Sequence, residues 1–213
     1  MKARRPLNLF ARQVCLLKVG PANFFTFASF LLLFCSCDSR LNKQSYIKWV
    51  TDYQNNLHVK SYHADLIFDL QYQPAAYVLI QRGIENYNPD SLLVEVEKLS
   101  DVQYYILTIS TKDKVDLINY GLTDVAAKQQ RQYYFSYRFQ DNIALDDDGK
   151  ILPCILYHAQ KPTTADGGRV FVLGFEHPNR NSVSAKIVIT SDVLNASPVK
   201  IEIAKSNIPQ VDL

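Results

Sequence analysis

Four histidines, His58, His63, His158 and His177, are the first residues to question for chemistry, because imidazole binds metals and moves protons near neutral pH. Their spacing argues against a metal. A zinc site draws on closely spaced ligands, such as two histidines on one helical face, and no two here stand that way. His63 and Asp65 share one side of an alternating segment, but two residues make no site. Asp146-Asp147-Asp148-Gly149, with Asp141 upstream, has the composition of a calcium loop. An EF-hand loop needs ligands at alternate positions and a glutamate at the twelfth. Counted from Asp146 the twelfth residue is Tyr157, so the run reads as an acidic hairpin turn. No glycine-flanked serine, no phosphate-cradling glycine loop and no distinguished carboxylate pair is present. The residues therefore point to no catalytic side chain, no metal and no cofactor. A hydrolase remains only as a third reading, behind two that bind without reacting.

Aromatic residues carry both of those. The chain has 13 tyrosines and 11 phenylalanines, and Tyr104-Tyr105 and Tyr133-Tyr134 each force one ring to the opposite face of a strand. Gln132–Gln140 alternates throughout. Tyr133, Phe135, Tyr137 and Phe139 share one face, expected to be core, and Tyr134, Ser136, Arg138 and Gln140 share the other. Tyr134 and Arg138 are thus the candidate ligand-contacting residues, placed to stack on a sugar or receive a protein partner. The simpler alternative is that a helix covers that face.

The chain's address is written before residue 38. Lys2, Arg4, Arg5, Arg12 and Lys18 precede an apolar run, Phe24–Cys37 (FFTFASFLLLFCSC), and no acidic residue occurs ahead of Asp38. A basic start, a short apolar stretch and small residues at its exit form a secretion signal, too short to span a bilayer comfortably. The exit, Leu33-Phe34-Cys35-Ser36-Cys37, resembles the lipobox of bacterial lipoproteins. The resemblance covers only these first 37 residues. It implies cleavage before Cys37, lipidation of Cys37, and a protein held by lipid to a membrane of a bacterial cell envelope. It divides the chain into a signal at 1–36, a lipidated cysteine, tether and short helix at 37–57, and a globular domain at 58–213. Cutting there removes five of the 23 basic residues and leaves 18 against 21 acids, a net charge of −3. That balance, with no basic stripe, argues against nucleic acid as a partner. Cys154 is then the one remaining thiol, and its apolar surroundings, Leu152-Pro153-Cys154-Ile155-Leu156, predict a packed strand residue.

The elements follow from periodicity and turn residues. Tyr46 and Trp49 are expected to dock a short helix near the tether. Tyr62–Tyr72 alternates strictly and predicts one strand; Ala75–Gln81 and Leu92–Leu99 predict helices, the second opened by Asn88-Pro89-Asp90-Ser91. Val102–Ile109 predicts an interior strand, and Thr123 or Asp124 caps a helix reaching about Gln130. Further strands are expected at Ile151–Ala159, Arg169–Glu176, Val183–Thr190 and Val199–Ala204, the third with Val183, Ala185, Ile187 and Ile189 inward. The fold class is α+β, mainly β: an antiparallel sandwich-like domain with a few short helices in its N-terminal half. The function implied is an envelope lipoprotein with a non-catalytic domain that binds or scaffolds an unknown envelope protein. The alternative is a glycan-binding accessory lipoprotein using exposed strand aromatics.

Overall fold

Asn42 opens the first helix, α1 (Lys43–Thr51), by accepting a hydrogen bond from the Ser45 amide at 2.9 Å. Tyr46 and Val50, one turn apart, are the residues it buries. The computed structural model describes residues 40–160, 167–194 and 198–213, which belong to one unit of the chain, Ser39–Leu213. Phe24–Cys37, including the expected lipidation site Cys37, lies outside the described residues.

After α1 come β1 (His58–His63) and β2 (Leu66–Gln73), then α2 (Ala75–Gln81), α3 (Leu92–Leu99) and β3 (Val102–Thr111). A long loop leads to α4 (Val125–Tyr133), whose Asp124 accepts from the Ala127 amide at 2.8 Å. The chain then passes through a π-turn (Tyr134–Arg138) and a 3-10 turn (Phe139–Asn142) into β4 (Ile143–Asp147) and β5 (Lys150–Pro153). The remaining strands are β6 (Leu156–Ala159), β7 (Arg169–Glu176), β8 (Ser184–Ile189) and β9 (Val199–Ala204). They form two antiparallel sheets, ordered β1-β2-β3-β7-β6 and β5-β4-β8-β9. Each turns one side-chain row inward. Phe68, Leu70, Tyr105, Leu107 and Phe171 from the first meet Leu145, Ile187, Ile201 and Ile203 from the second in a single core. This is the sandwich-like α+β architecture that the alternation predicts.

The helices α2 and α3 pack together through Val78, Leu79, Leu92 and Leu99, with Tyr104 of β3 against them. They lie at the end of the sandwich where β3 begins. Leu213 joins the same cluster, and a parallel bridge ties Leu41 to Val211, with Leu41 N–H donating to Gln210 O at 2.8 Å. The chain therefore enters the domain and reaches its last residues at one end.

Four expectations need correction. Tyr62–Tyr72 is a hairpin rather than one strand, because Ala64-Asp65 form a two-residue turn between His63 and Leu66. Ala64 takes φ 49°, a conformation usually left to glycine or asparagine, so nothing marks the turn. Ile151–Ala159 is likewise two strands, and they belong to different sheets: the chain crosses at Cys154-Ile155. Cys154 is accordingly a half-buried link residue, its thiol donating to Leu156 O at 3.1 Å and its pKa raised by burial. At the crossing Leu156 sits against Gly174, where any added Cβ would lie 2.9 Å from the Leu156 Cβ. Val183 is exposed, ahead of a strand that starts at Ser184.

The fourth correction is the largest. Gln132–Gln140 is not a strand but the end of α4, the π-turn and the 3-10 turn. Alternation at a spacing of two contains pairs at a spacing of four, and a helix sorts those pairs onto different faces. Phe135 and Phe139 go inward; Tyr133 and Tyr137 go outward, 58% and 64% exposed. The helix started by Asp124 simply continues.

Candidate functional site

Helix α4 buries none of its own residues, an unusual position for a helix that does not end the chain. What holds it is the turn that follows. Phe135 stacks edge-on to Phe139 at 5.2 Å, Phe139 to Phe171 at 5.1 Å, and the Tyr157 hydroxyl donates to Phe135 O. A π-turn widens the helix by one residue per turn and recurs at functional sites. Here it turns the two phenylalanines into the core while leaving α4 lying across the end of the sandwich where β3 finishes.

Three clefts flank this helix. The first, about 180 Å³, lies between α4, the β1–β2 turn and the loop after β8, and is lined by Asp65, Leu66, Leu117, Tyr120, Arg131 and Leu194 among others. A second, about 170 Å³, includes Gln132, Ser136 and Phe171. A third, about 400 Å³, includes Gln130, Arg131, Tyr134 and Asp192. Arg131 thus stands between two of them. Its Nη1 donates to Tyr120 O and, at 3.4 Å, to Leu117 O, and burial lowers its pKa. Arg40, Arg138, Arg169 and Arg180 each pair with a carboxylate, and among the described residues half-buried Arg131 does not. Among the described residues, no imidazole or thiol lines these three clefts.

The two residues expected to contact a ligand part company. Tyr134 lines the third cleft, half-buried, its hydroxyl bonded to Asn142 Oδ1 at 2.8 Å and Ser191 Oγ at 2.6 Å. Arg138 is exposed and pairs with Asp141 at 3.1 Å. The solvent-facing aromatics are instead Tyr133 and Tyr137, ring centroids 5.2 Å apart. Sequence reasoning placed them in the core because it read a strand.

Two ionic clusters complete the inventory. At the β1 edge, His58 Nε2 lies 2.6 Å from Asp69 Oδ1 and Nδ1 lies 2.9 Å from Thr51 O. Both partners are acceptors, so the geometry favours the imidazolium, in which both ring nitrogens donate. No lone pair is left for a general base. Tyr53 stacks on the ring at 3.9 Å and donates to Asp69 Oδ2 at 2.8 Å, where Lys60 also binds at 3.2 Å. Burial works against the His58 charge, but the bonds to Asp69 and Thr51 outweigh it and raise its pKa. Burial likewise opposes the Asp69 charge, and bonds from His58 and Tyr53 reverse that and lower its pKa. The stabilisation from His58 is therefore complete below its unfolded pKa near 6.5 and disappears as pH rises through the raised folded value. For Asp69 it is complete above its unfolded value near 3.9 and disappears as pH falls through the lowered one. A His58→Gln variant should lose most stability relative to the parent between about pH 4 and 6.5, and the gap should close on the alkaline side. Paired thermal melts across that range check it; a gap that widens with alkalinity would overturn the imidazolium assignment. His58 escaped sequence reasoning because its partner stands across a hairpin whose turn was not visible.

The second cluster is internal. Asp147 and Lys205, with side chains 1% and 3% exposed, pair at 3.0 Å between the sheets. Gln103 Nε2 donates to Asp147 Oδ2 at 2.9 Å and Lys205 Nζ donates to Gln103 Oε1 at 2.9 Å, while Ser182 and Tyr105 supply the remaining donors. Burial opposes the Asp147 charge, but bonds from Ser182, Lys205 and Gln103 hold its pKa below the ordinary carboxylate value. Burial lowers the pKa of Lys205. The neighbouring Asp148-Gly149 forms the expected acidic hairpin turn, at φ 51° and 87°.

Among the described residues, no three His, Cys, Asp or Glu side chains converge to hold a metal ion, and no helix is long and apolar enough to cross a membrane. Comparison of the chain with protein-family models, curated proteins and solved structures finds no match.

Proposed function

We propose that the chain is a lipoprotein of a bacterial envelope, anchored through lipid on Cys37, whose domain binds a partner without transforming it. The anchor rests on the basic leader, the apolar run and the Leu33-Phe34-Cys35-Ser36-Cys37 exit. The observation that carries the binding half is the set of clefts around α4. They bring a cation, a carboxylate, phenols and amides to one end of the sandwich, with no nucleophile held by a base among the described residues. Expressed in a bacterial host with radiolabelled palmitate, the parent chain should incorporate label and Cys37→Ser should not, its precursor staying uncleaved. Cys35→Ser should label normally. Label in Cys37→Ser would overturn the anchor.

A glycan-binding domain is the second reading, favoured by the exposed Tyr133–Tyr137 pair on the outer side of α4. Neighbouring aromatic rings facing water can stack on sugars. On a glycan array, binding that Tyr137→Ala abolishes without lowering the melting temperature would place this reading first.

A further inference from the structure

The first cleft holds opposite charges that do not pair with each other. Arg131 enters it from α4 and Asp65 from the β1–β2 turn, and Tyr120 stands between them. The Tyr120 carbonyl accepts from Arg131 Nη1, while its hydroxyl donates to Asp65 Oδ2 at 3.1 Å. One residue thus positions both charges and keeps them apart.

The geometry of the guanidinium narrows the partner. Nη1 is committed to backbone carbonyls, and among the described residues Nε and Nη2 meet no acceptor. Those two nitrogens form the edge with which Arg169 grips Asp116 in this same domain, at 3.2 and 2.7 Å. An Nε–Nη2 edge without an acceptor of its own fits a planar two-oxygen acid. Asp65, with no cationic partner among the described residues, suits an ammonium. The walls between are aliphatic, from Leu66, Leu117 and Leu194. At about 180 Å³ the cleft is smaller than the roughly 300–1,000 Å³ of drug-sized sites, so the occupant is small.

We propose that this cleft binds a small zwitterion, its carboxylate on the Nε–Nη2 edge of Arg131, its ammonium on Asp65, and its aliphatic body over Leu66, Leu117 and Leu194. The proposal rests on the domain being a binding module and names the class of molecule that it takes. Neither charge alone explains the site, since a simple anion would face Asp65 and a simple amine would face Arg131.

The test titrates the purified full chain in detergent, by calorimetry, with glycine, 4-aminobutanoate and 6-aminohexanoate, which differ in the distance between their charges. Butanoate and butylamine serve as single-charge controls. One member of the series should bind at least about tenfold more tightly than either control. Arg131→Gln and Asp65→Asn should each erase that advantage. Asp65 is exposed on a hairpin turn, so its variant keeps the test valid if Arg131→Gln fails to fold. Butanoate binding as tightly as the best zwitterion, an Asp65→Asn variant that binds undiminished, or no binding by any probe would each overturn the proposal. Palmitate labelling at Cys37 and partner binding elsewhere on the domain are read separately, so failure here leaves the broader reading standing.

Discussion

Replacing Lys205 by methionine should cost the domain about 3–5 kcal/mol, a large part of the 5–15 kcal/mol that holds an ordinary domain together. The loss arises less from the missing ion pair than from what remains. Asp147 would keep its charge between the sheets with Ser182 and Gln103 as donors but no cation, and Gln103 Oε1 would lose one of its two donors. A buried carboxylate in that state escapes by taking up a proton, so the deficit should shrink as pH falls. Replacing both partners, Lys205→Met with Asp147→Leu, should recover part of the loss, since two apolar side chains need no partner. Urea midpoints of the parent and the two variants make the comparison. A loss below about 1 kcal/mol in Lys205→Met would mean that the pair is not buried as described.

Phe135→Ala should be nearly as damaging, about 3–5 kcal/mol, whereas Tyr133→Ala should change stability by no more than about 0.5 kcal/mol. The two residues lie two apart, and a strand would give both the same environment. In the π-turn, Phe135 packs on Phe139 and Phe171, while Tyr133 touches Tyr137 in solvent. Losing the Phe135 ring would also open a cavity beneath α4, which buries nothing of its own, so the three clefts should lose their shared wall. Amide exchange along Val125–Tyr133 should accelerate in Phe135→Ala before the sheets respond. Equal destabilisation by the two substitutions would restore the strand reading and overturn the helical one.

Most of the framework was legible because its signals are local. Ala75–Gln81, Leu92–Leu99, Arg169–Glu176 and Val199–Ala204 fall where alternation, proline and turn residues put them. The misreadings have physical causes. Ala64 hides a turn by taking a left-handed backbone without the residue type that advertises it. Cys154-Ile155 hides a change of sheet inside a continuous apolar run. Tyr133 to Phe139 fits periods of two and four equally well, and only packing on Phe171, over 30 residues away, decides between them. The candidate site was illegible for a related reason. Asp65, Tyr120, Arg131 and Leu194 come from four separate segments, and no pair of them has a spacing that signals anything. Cross-sheet polar residues such as Gln103 and Lys205 carry no motif either.

The bridge between Leu41 and Val211 fixes where the chain enters the domain. Cys37 lies four residues before Leu41, at most about 14 Å of chain, so lipid there would tether the domain by its α2–α3 end. The β3 strand, ten residues at about 3.4 Å each, runs from that end of the domain to the end that carries the Arg131 cleft. Roughly 30 Å of strand therefore separates the entry of the chain from the Arg131 cleft. With lipid on Cys37, the cleft would thus lie at the end of the domain away from the anchor.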